Sequence, residues 1–240
     1  MAQPQINQPK TQLMHYQAVL FDLDGTLVDS IHDIAAAANH MLLALGYDAL
    51  PTSQITQFVG RGVDALIWQC LLEQIDDSAP DPQLYQQART VFAKHYQKQL
   101  EQTQTPVFDQ VIPGLDQFQN AGCKLAVVTN KPIAYTRMIL EQTGLAPYFQ
   151  AVIGGDSCEE KKPHPLPLLF ACAELDVTPE HSLMIGDSIN DVTAANDAQI
   201  DVLILPYGYS PGEPASALPA TAHVDDLLAA YQWAQQRVKN

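Results

Sequence analysis

Two aspartates separated by a single residue end a short apolar segment near the N-terminus. Asp22 and Asp24 follow the run 18–21 (AVLF) and are followed by Gly25-Thr26. Side-chain direction alternates along a β-strand, so both carboxylates point the same way if the run is a strand. Two like charges this close are unfavourable unless a cation lies between them or one is protonated. The pattern therefore predicts a site for a hard cation with one carboxylate placed to attack an electrophile.

The composition is that of a globular protein with an acidic surface. The chain has 240 residues, of which 47% are hydrophobic and 16% charged, enough for one large or two modest domains. Its net charge of −15 argues against a broad basic surface for nucleic acid or for an anionic membrane. A small anionic substrate remains compatible, because one local cation can reverse the field inside a pocket.

The sequence carries no apolar stretch long enough to cross a bilayer and no signal-peptide pattern. Residues 1–15 are polar and rich in Gln and Pro, which predicts a disordered leader. The cysteines at 70, 123, 158 and 172 form no C-x-x-C pair and are typical of structural thiols in a reducing compartment. We therefore expect a cytoplasmic protein.

Short apolar runs alternate with amphipathic stretches after residue 105, and this alternation predicts a parallel sheet covered on both faces. The first apolar run of the chain adds one more strand to that sheet. The expected class is an α/β, Rossmann-like core. The predicted strands are 17–22, 124–128, 151–153, 182–185 and 201–205, and the predicted helices lie near 133–143, 166–175, 190–197 and 224–238.

A helical segment interrupts this pattern between residues 29 and 105. Its predicted helices span 31–45, 63–74 and 83–102, with no strand of comparable quality between them. We expect residues 16–28 and 106–240 to form the catalytic core and residues 29–105 to form a helical cap. A helical module inserted just after a reactive strand end is well placed to act as a lid.

Polar side chains follow each predicted strand. Ligands of open parallel sheets bind outside the carboxyl ends of the strands, so these side chains are expected to converge. After Asp22 and Asp24, the later strands deliver Thr129, Asn130, Lys161, Lys162, Asp187 and Asp191.

These residues form four motifs in a fixed order. They are 22–26 (DLDGT), 129–130 (TN), 162–163 (KP) and 186–191 (GDSIND). In this order they resemble the motifs of the haloacid-dehalogenase superfamily, and from about residue 16 the chain is similar to its phosphoglycolate phosphatase family in particular. The segments that carry this closer similarity are 26–30, 128–132, 152–156, 161–169 and 186–192.

The resemblance implies a role for each motif residue in phosphoryl transfer. Asp22 is the expected nucleophile, which forms an aspartyl-phosphate. Asp24 is the expected acid for the leaving alkoxide and then the base for the hydrolytic water. Thr129 and the Asn130 amide would bind phosphoryl oxygens, and Lys162 would neutralise the transferring group. The Thr129-Asn130 pair could equally cap a helix.

The same resemblance implies a Mg²⁺ site. An Asp22 oxygen, the Asp24 backbone carbonyl and Asp187 would hold the ion, and Asp191 would orient that shell. Two alternatives remain open from the residues alone. Asp191 is also explained as an acid in the first turn of a helix, and Lys161 competes with Lys162 for the cationic role.

The expected reaction is hydrolysis of 2-phosphoglycolate to glycolate and phosphate. Asp24 argues against a dehalogenase, which expels halide and needs no acid at this position. A phosphonatase would need a lid lysine, and only Lys94 and Lys98 are offered there. Arg61, between two glycines, is the expected reader of the substrate carboxylate, although an exposed turn arginine is the alternative. His164 is a further candidate.

Two other classes of function stay open. A sugar-phosphate phosphatase or a β-phosphoglucomutase-like enzyme would use the same motifs, because a fold hosts many functions. A catalytically idle binding module is the alternative outside enzymes. The expected partner is a small phosphomonoester, with neither nucleic acid nor membrane, in a monomer or homodimer.

Overall fold

The computed structural model describes residues 14–76 and 79–237. Most of the predicted leader lies outside the described residues. Its last two residues are placed beside the end of the chain, where the His15 amide donates to the Arg237 carbonyl at 2.9 Å. Within the described residues, no helix combines the length and the apolar character needed to span a membrane.

A six-stranded parallel sheet forms the centre of the molecule and confirms the predicted α/β class. The spatial order is β3-β2-β1-β4-β5-β6, so the first strand in the chain lies in the middle. The five predicted strands are confirmed within a residue at either end. The strands are β1 (Ala18–Phe21), β2 (Lys124–Val128), β3 (Ala151–Ile153), β4 (Ser182–Gly186), β5 (Asp201–Ile204) and β6 (Ala222–His223).

The register of the central strands aligns their carboxyl ends. Phe21 pairs with Val127 of β2 and with Ile185 of β4, so the residues that follow all three strands emerge at one edge. Strand β1 is completely buried because it has neighbours on both sides and helices on both faces. Val19 faces the helices α5 and α9, and Leu20 faces α7 and α8. A strand buried in this way has to be apolar throughout.

Nine α-helices surround this sheet in the part of the chain that is described. Helix α5 was not predicted, because Pro113 and Gly114 lie inside it and both residues usually interrupt helices. The helices are α1 (Ile31–Ala44), α2 (Thr52–Thr56), α3 (Val63–Leu72), α4 (Pro82–Gln102), α5 (Val111–Asn120), α6 (Ile133–Gln142), α7 (Leu166–Leu175), α8 (Ile189–Asp197) and α9 (Leu227–Gln235).

One helix boundary and two short elements differ from the sequence prediction for physical reasons. Helix α9 was predicted to begin at residue 224, but Asp226 caps it by accepting the Ala229 amide at 2.7 Å. Helix α2 and strand β6 are too short, at five and two residues, to give a periodic signal. The predicted helices 31–45, 63–74 and 83–102 correspond to α1, α3 and α4.

The helices α1 to α4 lie between β1 and α5 in the chain, and we refer to them as the cap helices. The chain enters and leaves this group through two adjacent segments. The Asp29 amide donates to the Pro106 carbonyl at 2.8 Å, and the Phe108 amide donates to the Leu27 carbonyl at 3.2 Å. The cap helices therefore join the sheet domain through a pair of hydrogen-bonded linkers. The division into core and cap stays a prediction.

Candidate active site

Asp22 is the first residue after β1, and its carboxylate is buried. The backbone amide continues the sheet by donating to the Ile185 carbonyl at 3.0 Å. The Oδ1 atom accepts the Leu23 amide at 2.7 Å and lies 3.0 Å from the Lys162 Nζ. Burial raises the pKa of Asp22 to about 6, although the Lys162 ammonium opposes this change. The surroundings thus hold the carboxylate in one orientation at a substantial electrostatic cost.

Lys162 reaches Asp22 from the loop that follows β3. Its ammonium is 3% exposed and donates to the Val128 carbonyl and to Asp191 Oδ1, both at 2.7 Å. Burial alone would lower the pKa of Lys162, but Asp191 and Asp22 outweigh it, so the pKa lies above its ordinary value. With three acceptors around three N–H groups, Lys162 is a fixed cation. Lys161, the alternative, is half-buried and lies against Gly62 instead.

Asp187 follows β4 and lies opposite Asp22. Its two oxygens accept the Thr26 hydroxyl at 2.9 Å and the Tyr209 amide at 2.7 Å. A Cβ atom on Gly208 would come within 2.2 Å of this side chain, so glycine is required there. Burial, then the nearby Asp191 and Asp22 carboxylates, raise the pKa of Asp187 well above its ordinary value.

Asp191 lies in the first turn of α8 and is buried. Its Oδ2 accepts the Ser188 hydroxyl at 2.9 Å and the Ser188 amide at 3.1 Å, which completes a capping box. Its Oδ1 is held by Lys162. Asp191 is therefore an acid in the first turn of a helix, as the alternative had it, and it also positions the buried lysine. Its role in orienting a metal shell stays a prediction.

Oxygen atoms of Asp22, Asp187 and Asp191 lie within 4.8 Å of one another. Lys162 pairs with Asp22 and Asp191, and Asp187 has no cationic partner among the described residues. A hard divalent cation that prefers oxygen ligands fits this donor set. Both carboxylate oxygens of Asp191 already accept hydrogen bonds, from Lys162 and from Ser188. Asp22 and Asp187 are therefore the carboxylates that fit as direct ligands of the cation.

Asp24 has a different environment from Asp22. Its oxygens lie 2.8 and 2.9 Å from the Lys131 Nζ, and Oδ1 also accepts the Ser30 hydroxyl. No motif in the sequence pointed to Lys131, which is only 7% exposed. Burial alone would lower the pKa of Lys131, but Asp24 and Tyr96 raise it above the ordinary value. The one signal available was its position two residues after Thr129.

Thr129 and Asn130 follow β2, as predicted. The Thr129 hydroxyl accepts the Lys131 amide at 3.3 Å. Helix α6 is preceded by Pro132 at its N-cap position, so the alternative that this pair caps a helix is wrong. Two predicted residues lie farther out: Arg61 is exposed, and His164 is exposed with its Nδ1 accepting the Leu166 amide at 3.1 Å.

The Asn130 side chain connects the cap helices to the loop that carries Lys162. Its amide nitrogen donates to the Gly60 carbonyl at 2.8 Å and to the Lys162 carbonyl at 2.7 Å, and its oxygen accepts the Lys162 amide at 3.0 Å. Asn190, from α8, donates to the same Gly60 carbonyl at 3.1 Å. The turn before α3 is thereby bound to the sheet domain at two points.

A cleft between the cap helices and the sheet edge opens onto Asp22 and Asp24. Its wall on the cap side is mostly apolar, with Leu66 and Phe92 as typical members. Among the described residues that line it, Lys131 is the one cationic side chain, and Arg61 is absent from the lining.

Comparisons with known proteins agree with this geometry. Residues 19–205 match the family described as haloacid dehalogenase-like hydrolase. The chain is 40% identical over 214 residues to a phosphoglycolate phosphatase of Thiobacillus denitrificans, covering 89% of this chain and 93% of that protein. It is 42% identical over 203 residues to a phosphoglycolate phosphatase of Colwellia psychrerythraea, covering 84% and 89%.

A solved structure described as a predicted phosphoglycolate phosphatase from Haemophilus somnus is also similar. Its TM-score is 0.85 at 29% identity, over 93% of this chain and 100% of that one. The crystal structure of CbbY from Rhodobacter sphaeroides in complex with phosphate follows with a TM-score of 0.75 at 25% identity, over 89% and 95%. Together with the site geometry, these matches show that the chain belongs to the haloacid dehalogenase-like hydrolase family.

Proposed function

We propose that this hydrolase is a Mg²⁺-dependent phosphomonoesterase that works through an aspartyl-phosphate and converts 2-phosphoglycolate to glycolate and phosphate. One observation carries the proposal. The two carboxylates at the end of β1 have separate buried lysine partners, Lys162 for Asp22 and Lys131 for Asp24. Two acids held in different environments can take different roles in one reaction. The relatives named phosphoglycolate phosphatase support the choice of substrate.

In the first step, a carboxylate oxygen of Asp22 attacks phosphorus and the ester P–O bond breaks. The departing alkoxide takes a proton from Asp24, since an alkoxide is a poor leaving group without one. In the second step, Asp24 takes a proton from water, the resulting hydroxide attacks phosphorus, and the Asp22 carboxylate leaves. Phosphate departs and both aspartates return to their starting state.

Lys162 and the end of β2 would hold the phosphoryl group during both steps. The Lys162 ammonium, fixed by Asp191 and the Val128 carbonyl, faces Asp22 and offsets charge on the transferring group. The Thr129 oxygen accepts the Lys131 amide, so its own hydroxyl proton can be donated to a phosphoryl oxygen. The backbone amide of Asn130 would supply a second donor to a phosphoryl oxygen.

Asp22, Asp187 and the Asp24 carbonyl would hold Mg²⁺. When bound, the ion offsets the negative charge shared by the phosphoryl group and the carboxylates. Asp191 would act on this site indirectly by fixing Lys162 and the turn that carries Asp187.

The test is phosphate release from a panel of small phosphomonoesters, with and without Mg²⁺. We expect 2-phosphoglycolate to lead by kcat/KM and activity to require the ion. Asp22→Asn should lower kcat by on the order of 10⁴ or more, because the nucleophile is lost. Asp197→Asn, on the exposed face of α8, is the matched control and should retain wild-type activity. Rapid quenching followed by mass spectrometry should trap a protein heavier by one phosphoryl group, and peptide mapping should place that group on Asp22.

Other outcomes point to the alternatives. If sugar phosphates lead the panel, the phosphatase chemistry stands and the substrate assignment fails. A phosphoenzyme that survives in water and passes its phosphoryl group to a sugar would indicate a mutase. If no ester is hydrolysed in the presence of Mg²⁺, the proposal is wrong and a binding role takes its place.

A further inference from the structure

The Lys131 ammonium has an N–H donor that is not used in its hydrogen bonds to Asp24. It is buried and lines the cleft, and within residues 14–76 and 79–237 it donates to the two oxygens of Asp24, while its remaining side faces the Tyr96 hydroxyl. An ammonium has three N–H groups in a tetrahedral arrangement. A buried cation whose partners are both on one carboxylate therefore has a donor left for a ligand in the cleft.

Tyr96 supplies a second, independent observation at the same place. This side chain comes from α4 and is 2% exposed, and its hydroxyl is buried without a hydrogen-bond partner in the described part of the chain. It lines the cleft, and the Lys131 Nζ lies 5.1 Å from the centre of its ring. Buried polar groups in native proteins are nearly always paired, so an unpaired one needs an explanation. Burial raises the pKa of Tyr96 to about 12, which keeps the hydroxyl a proton donor at neutral pH.

The distance from the reacting centre fits a short substrate. Lys131 lies 2.8 Å from Asp24, the group proposed to protonate the ester oxygen. In a glycolate-like ester, one methylene separates that oxygen from the carboxylate carbon. A carboxylate attached this closely falls within reach of a cation next to Asp24.

The apolar side chains that line the cleft beside Lys131 and Tyr96 disfavour a polyol. Val59, Leu66 and Phe92 offer no hydrogen bonds to sugar hydroxyls. A hydroxyl-rich ligand would lose its water partners there without replacement, whereas one carboxylate needs few donors. Arg61 is exposed and outside the cleft lining, so it does not occupy this position.

We propose that Lys131 and Tyr96 form the subsite for the second anionic group of the substrate, a carboxylate one carbon away from the ester oxygen. The inference rests on the proposed function and adds the residues that select among phosphomonoesters. In the absence of substrate, the ion pair with Asp24 neutralises the charge of Lys131. On binding, the substrate carboxylate takes the unused Lys131 donor and the Tyr96 hydroxyl.

The experiment compares two esters that differ in one group, 2-phosphoglycolate and 2-hydroxyethyl phosphate. The selectivity is the ratio of their kcat/KM values. We expect Lys131→Gln to lower kcat/KM for phosphoglycolate about 100-fold more than for the ester that lacks the carboxylate, because a buried charge partner is lost. Any effect on Asp24 acts on both esters and cancels in the ratio.

Tyr96→Phe keeps the test decisive if Lys131→Gln folds poorly. The deleted hydroxyl donates its proton to no acceptor in the described part of the protein, and the Lys131 ammonium is its one polar neighbour there. A purely structural role therefore predicts an unchanged ratio and little change in thermal stability. We expect instead an approximately 10-fold drop in the ratio, carried by KM, with stability retained. Lys94→Gln, an exposed lysine on the same helix, is the matched control and should leave the ratio unchanged.

Three results are distinguishable. If Lys131→Gln and Tyr96→Phe weaken both esters equally, the subsite assignment is overturned and the phosphatase proposal survives. If Arg61→Gln lowers the ratio while these two variants do not, the exposed arginine reads the carboxylate and the inference fails. If the wild-type enzyme hydrolyses neither ester, the proposed function itself fails.

Discussion

Asp24 shares its strand end with Asp22 but not its partners, and this difference predicts a kinetic signature. Asp24→Asn removes the proposed acid and base together. An aryl phosphate such as p-nitrophenyl phosphate has a good leaving group that needs little protonation, so the first step should persist while hydrolysis of the phosphoenzyme slows on the order of 10²–10⁴-fold. Rapid mixing should therefore show a burst of one p-nitrophenolate per enzyme. A linear time course from this variant would contradict the assignment, and Asp22→Asn should show no burst.

Asp187 predicts how the metal-free protein responds to pH. Its pKa and that of Asp22, which is about 6, are raised in the folded state. The folded state therefore holds more protons than the unfolded state, and the free energy of unfolding falls as the pH rises from about 4 through the folded pKa values. Asp187→Asn removes one of the buried charges. In EDTA at pH 7.5 it should be more stable than the wild type, because one of several adjacent buried carboxylates is removed and an uncompensated buried polar group costs roughly 1–3 kcal/mol.

The measurement is urea denaturation of both proteins at pH 5 and pH 7.5, with EDTA or with Mg²⁺. The gain from Asp187→Asn should shrink as the pH falls from 7.5 to 5, because the raised pKa of Asp187 favours its protonated form, and Mg²⁺ should stabilise only the wild type. Asn preserves the local hydrogen bonds because the Thr26 hydroxyl can rotate to accept from the amide. A variant less stable than wild type in EDTA at pH 7.5 would show that Asp187 is held mainly by those hydrogen bonds.

The sequence predicts some site residues well and others not at all. Asp22, Asp187 and Lys162 are brought together because their motifs follow aligned strands, so one rule about parallel sheets places them. Lys131 and Tyr96 escape that rule. A lysine three residues beyond a strand end is usually exposed, and Tyr96 lies in a long polar helix whose packing is set by tertiary structure.

At the scale of the elements, the turn before α3 depends on two asparagines for its attachment. Asn190→Ala removes one of the two side-chain donors to the Gly60 carbonyl. We expect hydrogen exchange of residues 57–63 to increase about 5–10-fold, because one hydrogen bond contributes about 1 kcal/mol. Asn196→Ala, at an exposed position on the same helix, is the control. Unchanged exchange in Asn190→Ala would show that apolar packing of the cap helices alone sets this attachment.

Element prediction succeeded where periodicity was strong and failed where chemistry interrupted it. The buried strands and the helices α1, α3 and α4 carry clear patterns. Helix α5 does not, because its glycine is selected by contact. A Cβ atom on Gly114 would lie 2.5 Å from Leu227 of α9, so the close packing of two helices fixes a residue that local propensity disfavours.

At the scale of the whole molecule, the beginning of the described chain is fastened near its end. The Tyr16 hydroxyl donates to Asp201 at 2.6 Å, and its ring stacks on Trp233. Tyr16→Phe should lower the free energy of unfolding by about 1.5–3 kcal/mol, as expected for a hydrogen bond to a charged group. Because the residue lies at the far end of β1 from the site, kcat/KM should not change.

Urea denaturation with parallel assays provides this measurement. Tyr148→Phe is the matched comparison, since its hydroxyl donates to Asp116 at 2.7 Å in an exposed position. We expect a loss of less than about 1 kcal/mol there, because solvent replaces an exposed hydrogen bond readily. Equal losses from the two variants would show that burial of the Tyr16 hydrogen bond adds no stability.

The Asn130 side chain, which bonds to Gly60 and to Lys162 at once, has a thermodynamic consequence. The same amide participates in cap attachment and in the geometry of the phosphate site, so the two equilibria share a coupling free energy. Such coupling is reciprocal. A phosphate ion that orders the Lys162 loop must favour the attached cap by the same factor by which the attached cap favours the ion. Under the proposed function, phosphate affinity and cap attachment are therefore linked, and we expect a substitution that weakens one to weaken the other.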